Sequence, residues 1–234
     1  MELSKRLQAV ADLLCSSGLE LQSIADVGTD HGYLPIYLVS TDRCKKAFAM
    51  DINKGPLGRA EAHIAAYGLG GQIETRLSDG VQALEVGEAD SVICAGIGGA
   101  LAVRILMQGE AVFRSLKCFL LQPQSELWKV REFLFENGYR IVAEDMVFED
   151  GKFYPMMRVE TGTDTAYDET ELRYGRCLLA ESHPVLKTFL EKELQTKEQI
   201  LKQLSEKSGE DILRRKEELY NDILLVRQAL GVYF

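Results

Sequence analysis

The chain has 234 residues, of which 46% are hydrophobic and 27% charged, and its formal net charge is −9. That length accommodates one full domain and a smaller appendage of ordinary globular composition. The acidic balance excludes indiscriminate binding to polyanions, which needs Lys and Arg on phosphates. No run of ~20 apolar residues could span a bilayer, and the amphipathic start MELSKRLQAVADLLCSSG is not a signal peptide.

In chain order, residues 3–15 place Leu3, Leu7, Val10, Ala11 and Leu14 on one helical face. A strand over 22–27 runs into the glycine turn of 25-ADVGTDHGYLP-35 and then into a helix from Tyr33 or Leu34, with Pro35 in its first turn. A short buried strand follows at 46–52, then a helix at 56–68 opened by Pro56 and closed by Gly68. Strands at 73–80 and 90–99 each enter a turn, the second glycine-rich. A helix at 100–108, a strand at 116–123 and a helix at 125–139 capped by Ser125 come next. Segments 140–149 and 152–160 flank Asp150-Gly151, a hairpin dipeptide.

Strands alternating with helices predict an α/β fold with a parallel sheet covered on both faces. The closing antiparallel hairpin makes it a Rossmann-like class I methyltransferase sheet, since a dinucleotide dehydrogenase keeps its last strand parallel. The composition turns polar over 161–170. Beyond it, Leu186, Leu190, Leu194, Leu201 and Leu204 form one stripe, and Ile212, Leu213, Leu219, Ile223 and Leu230 another, with a break at Ser208-Gly209. A C-terminal antiparallel helical hairpin, coiled-coil-like, is expected. The predicted domains are 1–161 and 162–234. Cys15, Cys44, Cys94, Cys118 and Cys177 are scattered without a CxxC pair, as reduced thiols of a cytoplasmic protein would be. No metal site is expected.

In open parallel sheets the ligand lies beyond the carboxyl ends of the strands. Four motifs fall there: Asp26, Gly28, Asp30 and Gly32 in the first turn; Asp51 with Ile52; Asp79 with Gly80; and Ala95, Gly96, Ile97, Gly98 and Gly99. Asp51 suits the hydroxyls of a ribose, which NAD and S-adenosylmethionine share. Asp30 separates the two. A pyrophosphate seeks N–H groups at a helix start, and a like charge at ~4 Å costs about 4 kcal/mol at an effective dielectric near 20. S-adenosylmethionine carries an ammonium and a sulfonium instead, so a carboxylate is compatible with it. Asp79 then accepts from the adenine amino group of the donor.

LSKRLQAVAD, DVGTDHGYLP, AGIGG, LLQPQ and EDGKFY together resemble the bacterial tRNA (adenine-N1)-methyltransferases that modify adenine 22, the TrmK family. The resemblance runs from about residue 3 to 160 and more loosely through the C-terminal hairpin. This chain has Ile97 where the family has Met in AGMGG, Gln124 where it has Asn in QPN, and Asp51 where it often has Glu. The resemblance implies S-adenosyl-L-methionine as donor, tRNA as substrate and adenine N1 as acceptor. Asp30 is then the catalytic carboxylate that stabilises the cation developing on the base. A flipped base would meet Tyr33, Ile97, Gly98, Gly99, Gln122 and Pro123, with glycines leaving it room. Of the basic clusters, Lys5 with Arg6, Arg43 with Lys45 and Lys46, and Arg214 with Arg215 and Lys216, the residues Arg6, Arg214, Arg215 and Lys216 are expected on tRNA phosphates. A monomer without membrane contact is expected. A small-molecule methyltransferase and a non-catalytic, cofactor-dependent RNA-binding protein are the competing readings; an NAD-dependent oxidoreductase is opposed by Asp30.

Overall fold

The structure is a computed structural model that describes residues 1–16, 18–205 and 209–233. The chain divides into two compact units, Met1–Thr165 and Ala166–Phe234. The division falls after Thr165, and the last strand of the first unit ends at Thr161.

The first unit opens with α1 (Lys5–Cys15), whose Ser4 side chain accepts from the Leu7 amide and so sets the helix start. Strand β1 (Ser23–Val27), helix α2 (Tyr33–Ser40), strand β2 (Lys46–Asp51), helix α3 (Lys54–Ala66) and strand β3 (Ile73–Leu77) form the first half. The second half is β4 (Ser91–Ile97), α4 (Gly99–Gln108), α5 (Glu110–Ser115), β5 (Cys118–Pro123), α6 (Leu127–Glu136), β6 (Tyr139–Glu149) and β7 (Lys152–Thr161). The sheet order is β3-β2-β1-β4-β5-β7-β6, parallel from β3 to β5, with β7 antiparallel to both neighbours. Asp150 and Gly151 both take positive φ, 48° and 77°, the conformation of a tight hairpin turn. The hairpin inserts its second strand beside β5 and leaves β6 at the edge. β1, β2, β4 and β5 are almost wholly buried, as strands covered on both faces must be.

Two local expectations are corrected. Ser125 does not cap the helix that follows; Glu126 occupies its N-cap in a left-handed conformation without a side-chain capping bond, and the Ser125 hydroxyl accepts instead from the Gly99 amide at 3.2 Å. Helix α5, only six residues long, has no separate signature in the sequence. A buried ion pair locks α6 to β6: Arg131 donates to Glu144 from two nitrogens, at 3.0 and 2.9 Å, with both side chains 1% exposed. Removing one partner of such a pair typically costs about 3–5 kcal/mol.

The second unit contains α7 (Glu169–Tyr174), α8 (Arg176–Ala180), α9 (Pro184–Ser205), α10 (Glu210–Leu230) and a final 3-10 turn, Gly231–Tyr233. The polar 161–170 segment ends in a capping box, with Asp168 and Glu171 each satisfying the other's amide. Arg227 pairs with Glu198 and Lys216 reaches the Ser205 carbonyl, so positions rise along α10 as they fall along α9: the pair is antiparallel. Leu186, Leu190, Leu219, Ile223 and Leu230 are buried. Leu213 is 63% exposed and does not belong to the core stripe. Of the predicted break, Ser208 lies outside the described residues. No helix among the described residues is long and apolar enough to cross a membrane.

Candidate functional site

Strand order reverses between β1 and β4, the position at which an open α/β sheet leaves a crevice. A cavity of about 240 Å³ lies there, lined among others by Arg6, Asp26, Gly28, Asp30, Tyr33 and Ala95. Backbone hydrogen bonds shape the first turn. The Gly28 and Thr29 amides both donate to the Met50 carbonyl, at 2.8 and 3.0 Å, and the Gly32 amide donates to the Thr29 carbonyl at 2.7 Å. Gly28 and Gly32 have φ of 81° and 71°, a region that glycine enters at little cost. A side chain at Gly32 would press on Ala60 of α3, so α3 packs directly on the turn.

Asp26 is 5% exposed at the end of β1. Burial pushes its carboxyl up from 3.8 to about 6, against the lowering effects of the Thr29 hydroxyl and the Arg6 guanidinium. Arg6 is half-buried in this cavity, not part of an exposed basic cluster as expected. Its position follows from α1: Glu149 accepts from the Lys5 and Arg6 amides, at 2.6 and 3.3 Å, where a carboxylate also complements the helix dipole. The guanidinium then lies over Tyr154, 5.6 Å from its centroid, and donates to Gln122 Oε1 at 3.1 Å. Gln122 is fully buried, and its Oε1 also accepts from the Gly96 amide at 3.0 Å. Its Nε2 is buried without a hydrogen-bond partner among the described residues, the kind of group that asks for a ligand or water.

Asp30 stands at the cavity rim with φ 26° and a side chain 59% exposed. It is ion-paired with Arg59 of α3, and His31 Nε2 lies 3.4 Å away. The rings of His31, Tyr33 and His63 are near parallel, with centroids 5.2–5.5 Å apart. Arg59 and His63 have no turn motif to mark them in the sequence; only the packing of α3 on the turn brings them in.

Asp51 ends β2, half-buried, and accepts from the Asn53 amide at 2.8 Å; Ile52 beside it is 56% exposed. Asp79 is paired with Arg104 of α4 at 3.2 Å, a partner the sequence did not indicate. A side chain at Gly80, φ 60°, would crowd Ile105. A bulge between Ala95 and Ile97 leaves Gly96 at φ 76° beside Arg6 and Gln124. Ile97 is half-buried, Gly98 exposed, and Pro123 buried opposite Ile97 in register. Gly99 corrects an expectation. The space its side chain would fill is occupied by the Ser125 carbonyl and Glu126, so this glycine serves close packing, not room for a base.

In the second unit each cation of the 214–216 cluster has a local partner. Arg214 pairs with Asp211 at 3.2 Å, Arg215 with Glu218 at 2.9 Å, and Lys216 donates to the Ser205 carbonyl. Arg43, Lys45 and Lys46 of the first unit likewise pair with Asp12, Asp42 and Glu74. Cys44, Cys94 and Cys118 are buried, and no disulfide joins cysteines of the described residues. No group of three or more potential ligands gathers as a metal site among the described residues.

The cavity pairs a carboxyl, Asp26, with a cation, Arg6, and the buried Gln122 amide stands behind Arg6. That combination suits the zwitterionic end of an amino-acid cofactor and not a pyrophosphate. Comparison with known proteins agrees. The sequence model of the family described as tRNA (adenine(22)-N(1))-methyltransferase matches residues 24–228. The tRNA (adenine(22)-N(1))-methyltransferase of Bacillus subtilis (strain 168) is 33% identical over 236 residues, covering 98% of both chains. The crystal structure of Streptococcus pneumoniae Sp1610 in complex with S-adenosyl-L-methionine superposes with a TM-score of 0.85 at 31% identity, covering 98% of this chain and 100% of that one. The structure of M. capricolum TrmK with S-adenosyl-homocysteine does so with a TM-score of 0.84 at 28% identity, covering 99% of each.

Proposed function

Because the chain belongs to the tRNA (adenine(22)-N(1))-methyltransferase family, we infer that it methylates N1 of adenine 22 in tRNA with S-adenosylmethionine as donor. The observation that carries the reading in this chain is the opposed pair Asp26 and Arg6 in one cavity at the switch point of the sheet. S-adenosylmethionine, when bound, supplies the methyl group on a cationic sulfur.

The assignment of residues is our proposal. Asp26 takes the donor's ammonium, and Arg6 with the free Gln122 amide takes its carboxylate. Asp51 accepts from the ribose hydroxyls, with Ile52 against the adjoining face of the cofactor. Asp79 and Gly80 meet the donor's adenine, Asp79 exchanging its Arg104 contact for the amino group or sharing it. Gly28, Gly32, Ala95 and Gly96, with little or no side chain, lie along the donor's path.

On the acceptor side, Tyr33, Ile97, Gly98 and Pro123 border the base. Attack by N1 leaves positive charge on a ring that was neutral. Asp30 stabilises that charge and accepts from the exocyclic amine, which places the anion where it is needed as the bond forms. The exposed face of α10, with Arg214 and Arg215, contacts tRNA phosphates; its ion pairs are surface pairs that water and salt readily exchange. The protein acts in the cytoplasm, in keeping with cysteines that form no disulfide among the described residues.

The test is mass spectrometry of nucleosides from unmodified tRNA incubated with the protein and donor. N1-methyladenosine appearing at position 22 is the expected product. Donor consumption without a methylated nucleoside would overturn the reading.

A further inference from the structure

We propose that Arg59 is a positioning residue for the substrate: in the free protein it pairs with Asp30, and on tRNA binding it moves to a backbone phosphate flanking the methylated nucleotide, releasing the Asp30 carboxylate to the base. The proposal rests on the reading of this cavity as an adenine-methylating site in tRNA.

The two residues differ in how firmly they are held. Asp30 is fixed by its turn, which is tied to Met50 by two amide hydrogen bonds and closed by a third. Arg59 is fixed only at its backbone. The next residue, Ala60, is wholly buried against Gly32, and one turn further His63 sets Nδ1 3.0 Å from the His31 carbonyl. The Arg59 side chain itself is 48% exposed and spans from this anchored helix to the rim. An arginine so placed can swing without disturbing the turn.

Electrostatics requires such a group. The protein carries a net charge of −9, and Asp30 puts an anion at the mouth of the cavity. A base flipped into the cavity brings its flanking phosphates to that mouth, where an uncompensated carboxylate would repel them. The planar guanidinium fork fits carboxylate and phosphate equally well. Exposed ion pairs contribute little, so exchange of one anion for the other is nearly balanced, and the arriving phosphate tips it. Asp30 therefore gives up its Arg59 partner only when the base is present to use it.

The test uses the full chain, with tRNA binding followed by fluorescence anisotropy between 50 and 200 mM salt for wild type, Arg59→Gln, Asp30→Asn and the double variant. Melting with and without donor verifies that each variant is folded. Arg59→Gln should weaken binding and reduce the slope of log affinity against log salt by about 0.7–0.9, the value of one phosphate contact. Its kinetic loss should fall on KM for tRNA more than on kcat. Asp30→Asn should bind tRNA about threefold more tightly, because Arg59 no longer divides its time, and this gain should vanish in the double variant. An unchanged salt slope in Arg59→Gln would overturn the proposal. So would a gain from Asp30→Asn that is equal with and without Arg59, or a loss confined to kcat. A wild-type protein that shows the Arg59-dependent slope but leaves adenine unmethylated would remove the enzymatic reading and leave the phosphate contact standing.

Discussion

Arg6 and Gln122, 116 positions apart, share a hydrogen bond of 3.1 Å in which the guanidinium donates to the amide oxygen. The same oxygen accepts from the Gly96 amide, so one buried side chain ties the first helix to the bulge near the end of β4. The conformation of Gly96 and the aim of Arg6 both depend on it.

Replacing Gln122 by leucine keeps the volume and removes the acceptor. Two donors lose their partner, and the free amide is lost as well. We expect donor affinity to fall about 5–30-fold, equivalent to roughly 1–2 kcal/mol. Isothermal calorimetry measures this directly, and unchanged affinity would take Gln122 out of the cofactor site.

We expect Asp26 to make donor binding depend on pH. Burial raises its carboxyl from 3.8 to about 6, so the folded protein holds that proton more tightly than the unfolded chain. The stability this contributes is fully present below about 3.8 and is lost as pH rises through about 6. Donor affinity moves the opposite way, because an ammonium needs the ionised carboxylate. Affinity should fall as pH drops below 6, approaching about tenfold per unit. Calorimetry from pH 5 to 8 should show this inflection in the wild type and a flat profile in Asp26→Asn.

Asp30→Asn removes charge while retaining size, and Asn tolerates the positive φ of 26° found there. The start of α2 does not depend on Asp30, since Gly32 occupies its N-cap with no side-chain hydrogen bond. The chemical step should slow by about 10²-fold or more, with donor affinity little changed. Single-turnover transfer at saturating donor and tRNA reads this step. A rate within about threefold of wild type, far below the loss expected for an electrostatic stabiliser, would show that Asp30 takes no part in the chemistry.

A chain ending after Thr165 retains the whole seven-stranded sheet and the cavity. We expect it to melt cooperatively and to bind donor as the full chain does, while losing most of its affinity for tRNA. If its KM for tRNA equals that of the full chain, the helical unit is not a tRNA contact.

Local pattern alone determined the alternation of strands and helices, the hairpin at Asp150-Gly151 and the carboxylates at the strand ends, Asp26, Asp51 and Asp79. Each depends on side-chain period or turn chemistry, which neighbours in the chain control. Helices α5, α7 and α8, five or six residues long, offered no period to read. Tertiary structure alone decided the partners. Asp30 meets Arg59 across 29 positions and Asp79 meets Arg104 across 25. Packing likewise presses Gly99 against Ser125 and turns Leu213 to solvent. Arg6 reads as one of a pair of surface cations, yet Glu149 grips its helix and points it into the cavity. Which charges meet is set by how helices settle on the sheet, and that depends on the whole packed core, not on the spacing of residues along any one segment.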